Sequence, residues 1–283
     1  MQWFGRRESD NVEDNRGGGG GRFALGGGIV GIIALAIYYF TGIDPSQLLN
    51  QVSDSSRVQT EQRANEPGAP EDKPKQFVRV VLADTEDIWN KLFNEMGKTY
   101  QKPKLVLFTD YIQSGCGNAS SATGPFYCPG DEKVYIDLSF YDELQNRFGA
   151  AGDFAQAYVI AHEVGHHVQK LLGVSAKMDE ARSRLSKRQY NKLSVKLELQ
   201  ADFYAGVWAH YEQSIKKVIE PGDIEEALNA ANAIGDDRLQ KQTSGHVEPD
   251  SFTHGTSAQR MYWFKKGYET GDVKQGDTFA NAR

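Results

Sequence analysis

The stretch Ala161-His162-Glu163-Val164-Gly165-His166-His167 constrains this chain more than any other. On a helix, His162 and His166 are four residues apart and leave the same face, so their imidazoles can share one metal ion. Glu163 is too constrained by its neighbours to be the usual third ligand, but it is well placed to take a proton from a metal-bound water. The helix itself is well signalled. Phe154, Ala157, Tyr158, Ala161, Val164, Val168 and Leu171 form an apolar stripe at helical spacing, Asp153 with Gln156 resembles a capping box, and Gly173 stops the run. Histidines in the middle of such a helix are half buried and need polar partners. His167 is rotated roughly 140° from His162 and is expected outside the site.

A catalytic zinc takes three protein ligands and keeps a fourth position open. Ser186 with Gln189 predicts the start of a second long helix through Leu193, Leu197, Ala201, Tyr204 and Trp208, which carries Glu198-Leu199-Gln200-Ala201-Asp202. Glu198 and Asp202 share a face of it. Glu198 can join His162 and His166 on the metal while Asp202 accepts the free ring N–H of a ligand histidine. The competing reading has both acids in surface salt bridges with Lys192, Lys196 or nearby arginines. Asp223 with Glu226 starts a third helix with a packing role, and Thr256 with Gln259 caps a last one, with His254 on the loop before it. His254 can donate to the oxyanion of a tetrahedral intermediate, and Arg260 can hold Asp202 or the chain end; a structural polar contact is the alternative for each. His210 reads as a helix-end residue and His246 as solvated.

Around this site, 39% hydrophobic content in 283 residues is enough for a real core. The net charge of -6 and pI near 5.6, with no basic stripe, exclude a nucleic-acid partner. Residues 1–22 are polar and glycine-rich and are expected not to fold alone. Residues 23–40 carry no charge and span about 27 Å as a helix, near the lower limit for a bilayer. Arg6, Arg7, Arg16 and Arg22 precede this run and the first basic residue after it is Arg57, so the positive-inside rule keeps the N-terminus cytosolic and exports the remainder. A cleaved signal peptide and a buried soluble helix are the rival readings. Residues 41–76 read as a tether, and the folded domain as 77–283. In it, Ile88, Trp89, Leu92, Phe93, Met96 and Tyr100 form a helical stripe after a cap at Asp84 or Thr85. Leu105 to Phe108 and Val134 to Phe140 read as strands; if the second lies at a sheet edge, it can pair with an extended peptide. Cys116 and Cys128, the only cysteines, are expected to form a structural disulfide.

Trp3-Phe4-Gly5-Arg6-Arg7, Asn11-Val12-Glu13-Asp14, Gly124-Pro125-Phe126-Tyr127-Cys128-Pro129, the His162 stretch, Glu198-Leu199-Gln200-Ala201-Asp202 and His254-Gly255-Thr256-Ser257-Ala258-Gln259-Arg260 together resemble the bacterial neutral zinc metallopeptidase family of YpfJ type. More distantly, the H-E-x-x-H and E-x-x-x-D patterns are similar to those of gluzincin proteases. That likeness implies His162, His166 and Glu198 as zinc ligands, Glu163 as base, and His254 and Arg260 near the site.

The expected protein is α+β, a mainly helical zincin-like metalloprotease domain with a small β-sheet behind one N-terminal transmembrane helix. Its expected work is endopeptidase cleavage of protein or peptide substrates with one Zn2+. It would be anchored in the bacterial inner membrane with the catalytic domain periplasmic or extracellular, the lipid bilayer being a partner through residues 23–40. A zinc-stabilised membrane scaffold and a hydrolase of cell-wall peptides are the rival functions.

Overall fold

The computed structural model describes residues 1–16 and 72–280. The fold is mostly helical with a small mixed sheet. Helix α1 (Lys73–Glu95) opens with Pro74, whose missing N–H is no loss in a first turn. It runs unbroken through Asp84 and Thr85, which therefore do not cap it. Both are buried in its interior, where Thr85 donates to the Leu82 carbonyl and Asp84 pairs with Arg6 and Lys216.

Those partners explain the first departure from expectation. The leading residues fold onto the domain, and Met1–Asn15 belongs to the same unit as the chain from Lys73 onward. Strand β1 (Val12–Asp14) pairs in parallel with β2 (Lys104–Phe108), and Trp3 stands edge-on to Phe77 at 5.5 Å. Arg7 reaches Glu86 and Asp87, while Ser9 and Asn11 both donate to Glu86. A segment too polar to fold alone is thus stable where a helix offers it buried carboxylates.

The membrane topology is corrected on the same ground. No helix among the described residues is long and apolar enough to cross a membrane. The segment 23–40 lies outside the described residues, but hydrogen-bonded strands of one sheet cannot sit on opposite sides of a bilayer. The transmembrane anchor, the bilayer as partner, and the inner-membrane placement with a cytosolic lead and an exported domain are therefore set aside.

The four-stranded sheet has the order β1-β2-β6-β5, with β5 (Phe126–Cys128) antiparallel to β6 (Lys133–Asp137). A two-stranded hairpin, β3 (Tyr111–Ser114) and β4 (Gly117–Ser120), precedes β5. The strand expected to reach Phe140 stops at Asp137. Its carboxylate accepts the Ser139 and Asp110 N–H groups at 3.0 Å each, and this local bonding turns the chain into α2 (Ser139–Asn146). Strand β6 is interior to the sheet, so β5, not β6, is the edge on this side.

Helix α3 (Asp153–Leu171) passes through the centre of the main core, with Phe154, Ala157, Tyr158, Ala161, Val164 and Val168 all buried as their spacing requires. Its start is not the expected capping box. Gly152 takes the cap position, Glu226 accepts from Phe154 N at 3.0 Å, and Asp153 accepts from the Met1 amine at 2.7 Å. Helices α4 (Val174–Arg184) and α5 (Lys187–Tyr211) follow, the latter with the predicted Ser186/Gln189 box. Then come α6 (Asp223–Ala233), capped by Gly222 and not by an Asp223/Glu226 box, α7 (Asp236–Ser244), and α8 (Ser257–Thr270) with the predicted Thr256/Gln259 box. Helices α5 and α8 cross almost backbone to backbone. A Cβ on Gly206 would lie 2.0 Å from the Phe264 carbonyl oxygen, and one on Gly267 2.1 Å from that of Phe203.

Candidate metal centre

Three helices build the site. Helix α3 supplies His162, Glu163 and His166, and α5 crosses it closely enough to bring Glu198 against the imidazoles. Gly165 makes that approach possible, since a Cβ there would already stand 3.0 Å from the Ala201 carbonyl oxygen. Helix α8 and the loop before it bring Arg260 and His254.

Donor atoms of His162, His166 and Glu198 all lie within 4.8 Å of one another. Glu198 places Oε2 3.2 Å from His162 Nε2 and Oε1 3.5 Å from His166 Nε2. The opposite ring nitrogens are held from behind. His162 Nδ1 meets Asp202 Oδ1 and His166 Nδ1 meets Gln169 Oε1, each at 2.9 Å. With Nδ1–H donating in both rings, both Nε2 lone pairs face Glu198, the arrangement a shared cation requires.

Charge tells the same story. Burial pushes the Glu198 carboxyl up, but His166 and His162 outweigh it and hold Glu198 well below the ordinary carboxylate range. Burial likewise lowers His166, and Glu198 more than reverses this, up to about 9. Glu198 thus favours positive charge between itself and the two Nε2 atoms, the position a dication fits. Two imidazoles and a carboxylate are a donor set suited to zinc. In the other cluster of metal-capable groups among the described residues, Asp153, Asp223 and Glu226, the first two acids bond the Met1 amine instead.

Behind the donors lies a buried network. Arg260 donates through Nε to Asp202 Oδ2 at 2.8 Å and through Nη2 to Oδ1 at 2.9 Å, and Tyr158 also donates to Asp202. Burial raises the Asp202 carboxyl, yet Arg260 and His162 bring it down to about 2, so it stays charged. Gln169 completes the other side, donating to Leu197 O at 2.7 Å and to Gln200 Oε1 at 3.2 Å. Tyr158 and Gln169 were not singled out by sequence. Their signal is spacing, four residues before His162 and three after His166.

Glu163 lines, with both imidazoles and Glu198, a cavity of about 600 Å³. Burial raises its carboxyl above the ordinary range against the pull of His162 and His166. One wall of the cavity is Gly124 to Tyr127, another is Phe140 and Phe148, and a third carries Ile234, Leu239, His254 and Arg260. His254 is half exposed there. Its Nδ1 is 3.1 Å from Asp236 Oδ1, while Asp236 Oδ2 accepts the Thr253, His254 and Gly255 N–H groups. The hydrogen bond to Asp236, working against burial, raises the His254 pKa. Asp236, eighteen residues upstream on α7, left no trace in the sequence pattern.

The remaining histidines stay outside the donor set. His167 is buried between Gln101 and Tyr127, His210 bonds the Tyr268 carbonyl at 2.8 Å, and His246 is exposed. Cys116 and Cys128 are joined, S–S 2.05 Å, tying the β3–β4 turn to the end of β5.

The comparisons with known proteins agree with this chemistry. A family model described as "Putative neutral zinc metallopeptidase" matches residues 1–279. The Escherichia coli K12 protein YpfJ is 52% identical over 291 residues, covering 100% of both chains. A Mycobacterium tuberculosis H37Rv protein is 39% identical over 262 residues, 85% of this chain and 84% of its own. No solved structure matches the chain. With most of its length matched by that family model and by YpfJ, the chain belongs to the neutral zinc metallopeptidase family.

Proposed function

We propose that the chain is a zinc-dependent endopeptidase that cleaves protein or peptide substrates, with His162, His166 and Glu198 holding one zinc ion. The observation that carries this reading is the pair of Nε2 atoms turned toward Glu198, each ring held from behind by Asp202 or Gln169, at the floor of a cleft that also contains an acid outside the donor set. Bound zinc would act as a Lewis acid on a carbonyl or water oxygen. Glu163 takes the proton of the attacking water and delivers it to the leaving amine, and its burial-raised pKa suits a group that must hold the proton between those steps. His254, oriented by Asp236, donates to the oxyanion, and Arg260 keeps Asp202 charged behind His162. The backbone edge of β5 is the place for an extended peptide, the role first expected of β6.

The test is Glu163→Gln. It should bind one zinc per chain like the wild type and lose cleavage of an unstructured casein-like substrate by at least a thousandfold. Cleavage at the wild-type rate would rule out Glu163 as base. A wild type that binds zinc and cleaves nothing would favour a zinc-stabilised binding module.

A further inference from the structure

The third histidine of the stretch, His167, has no place in the donor set, yet it is 1% exposed and fully bonded. Its Nε2 lies 2.6 Å from the Gln101 carbonyl oxygen, which can only accept, so the ring proton is on Nε2. Nδ1 is then a lone pair, and the Tyr127 hydroxyl donates to it at 3.0 Å. Tyr127 is the middle residue of β5. Side chains alternate along a strand, and Phe126 and Cys128 leave by the other face: Phe126 stacks on Tyr135 at 4.9 Å and Cys128 is tied to Cys116. Tyr127 is thus the β5 side chain turned toward α3, its ring also edge-on to His167 at 5.5 Å. The same strand is the edge of the sheet and lines the cleft with Glu163.

We propose that His167 is a positioning residue: through Tyr127 it pins the edge strand β5 to the helix that carries the metal-facing groups, and so sets where a peptide paired with β5 lies relative to Glu163. This rests on the endopeptidase reading for its substrate, though not for the pin itself. His167 directly follows His166 on the same helix, so strand and donors share one frame. Loss of the pin leaves the donors in place and lets the strand move.

The test compares Tyr127→Phe, His167→Phe and the double variant in the full, zinc-loaded chain. Tyr127→Phe removes one oxygen and keeps the ring. We expect KM for an unstructured casein-like substrate to rise about five- to tenfold with kcat within twofold, zinc still at one per chain, and amide exchange at 126–128 about tenfold faster while α3 stays protected. The double variant should be no worse in KM than His167→Phe; if His167→Phe does not fold, Tyr127→Phe decides alone. Unchanged KM and unchanged exchange at β5 overturn the proposal. So does a uniform rise in exchange across the domain with KM unchanged, which is the mark of core packing alone. If the wild type cleaves nothing, the endopeptidase reading falls, and the exchange measurement still decides whether the pin holds β5.

Discussion

Replacing Arg260 by Met removes the guanidinium that bonds both Asp202 oxygens and leaves a fully buried carboxylate with only Tyr158 and His162 among the partners described above. Burial alone would raise Asp202; Arg260 and His162 instead carry it from 3.8 to about 2. At ~1.4 kcal/mol per tenfold, that is roughly 2–3 kcal/mol of native-state stabilisation. Because the folded pKa lies below the unfolded one, this stability is present above about pH 4 and is lost as pH falls toward 2. Removing one partner of a buried pair costs more, about 3–5 kcal/mol, since nothing then answers the desolvation of the survivor. Arg260→Met should therefore lose about 3–5 kcal/mol at pH 7, a fall in Tm of roughly 6–20 °C. Urea unfolding in the presence of a chelator reads this without metal linkage. Adding Asp202→Asn should recover part of the loss, because neither charge is then stranded. With His162 no longer held by a fixed acceptor, zinc affinity should drop about 10–100-fold in either single variant. A cost under about 1 kcal/mol for Arg260→Met, or a double variant as costly as both singles added, would refute the argument.

Further outcomes follow from packing and buried charge elsewhere. Gly267→Ala should gain about 1 kcal/mol on helix propensity alone, but a Cβ 2.1 Å from the Phe203 carbonyl forces α5 and α8 apart, so a net loss of several kcal/mol is expected in urea unfolding; a neutral result would mean that the crossing is looser than described. Glu212, fully buried, has its pKa pushed up to about 8, first by burial and then by Asp84, against Arg6 and Lys216. Its folded pKa lies above the unfolded 4.5, so the native state holds the proton and stability falls as pH rises from about 5 to 8. Glu212→Gln removes that dependence. Its stability relative to wild type should climb by up to ~1.4 kcal/mol per pH unit across this window and then level off, and a flat difference would sink the assignment.

The sequence carried the site further than it carried the fold. The His162/His166 pair and the Glu198/Asp202 pair could be proposed from sequence because helical spacing turns a one-dimensional interval into a shared face. The sequence left Arg260 open between Asp202 and the chain end, and only the fold brings it to Asp202. The boxes at Ser186 and Thr256 were legible for the same local reason, while the look-alikes at Asp153 and Asp223 were not boxes, because Gly152 and Gly222 take the cap positions, the Met1 amine bonds both aspartates, and Glu226 accepts from Phe154 N instead. The strand end at Asp137 was missed because a single carboxylate accepting two backbone N–H groups overrode an apolar alternation. Residues 1–15 read as a free polar lead since their partners, Asp84 and Glu86, lie some seventy residues away.

What the chain determined by itself is therefore the candidate donors on each helix and the faces that present them, since neighbours three or four apart on a helix are fixed by backbone geometry alone. What only tertiary structure decided is which helices meet, how closely, and which further groups, Tyr158 and Gln169, stand behind the candidate donors. Gly165 gives no hint of the backbone it admits, Asp236 none of the histidine it orients, and the edge position of β5 depends on pairings that local sequence does not encode. Those contacts join residues whose separation along the chain carries no geometric information until the core has formed.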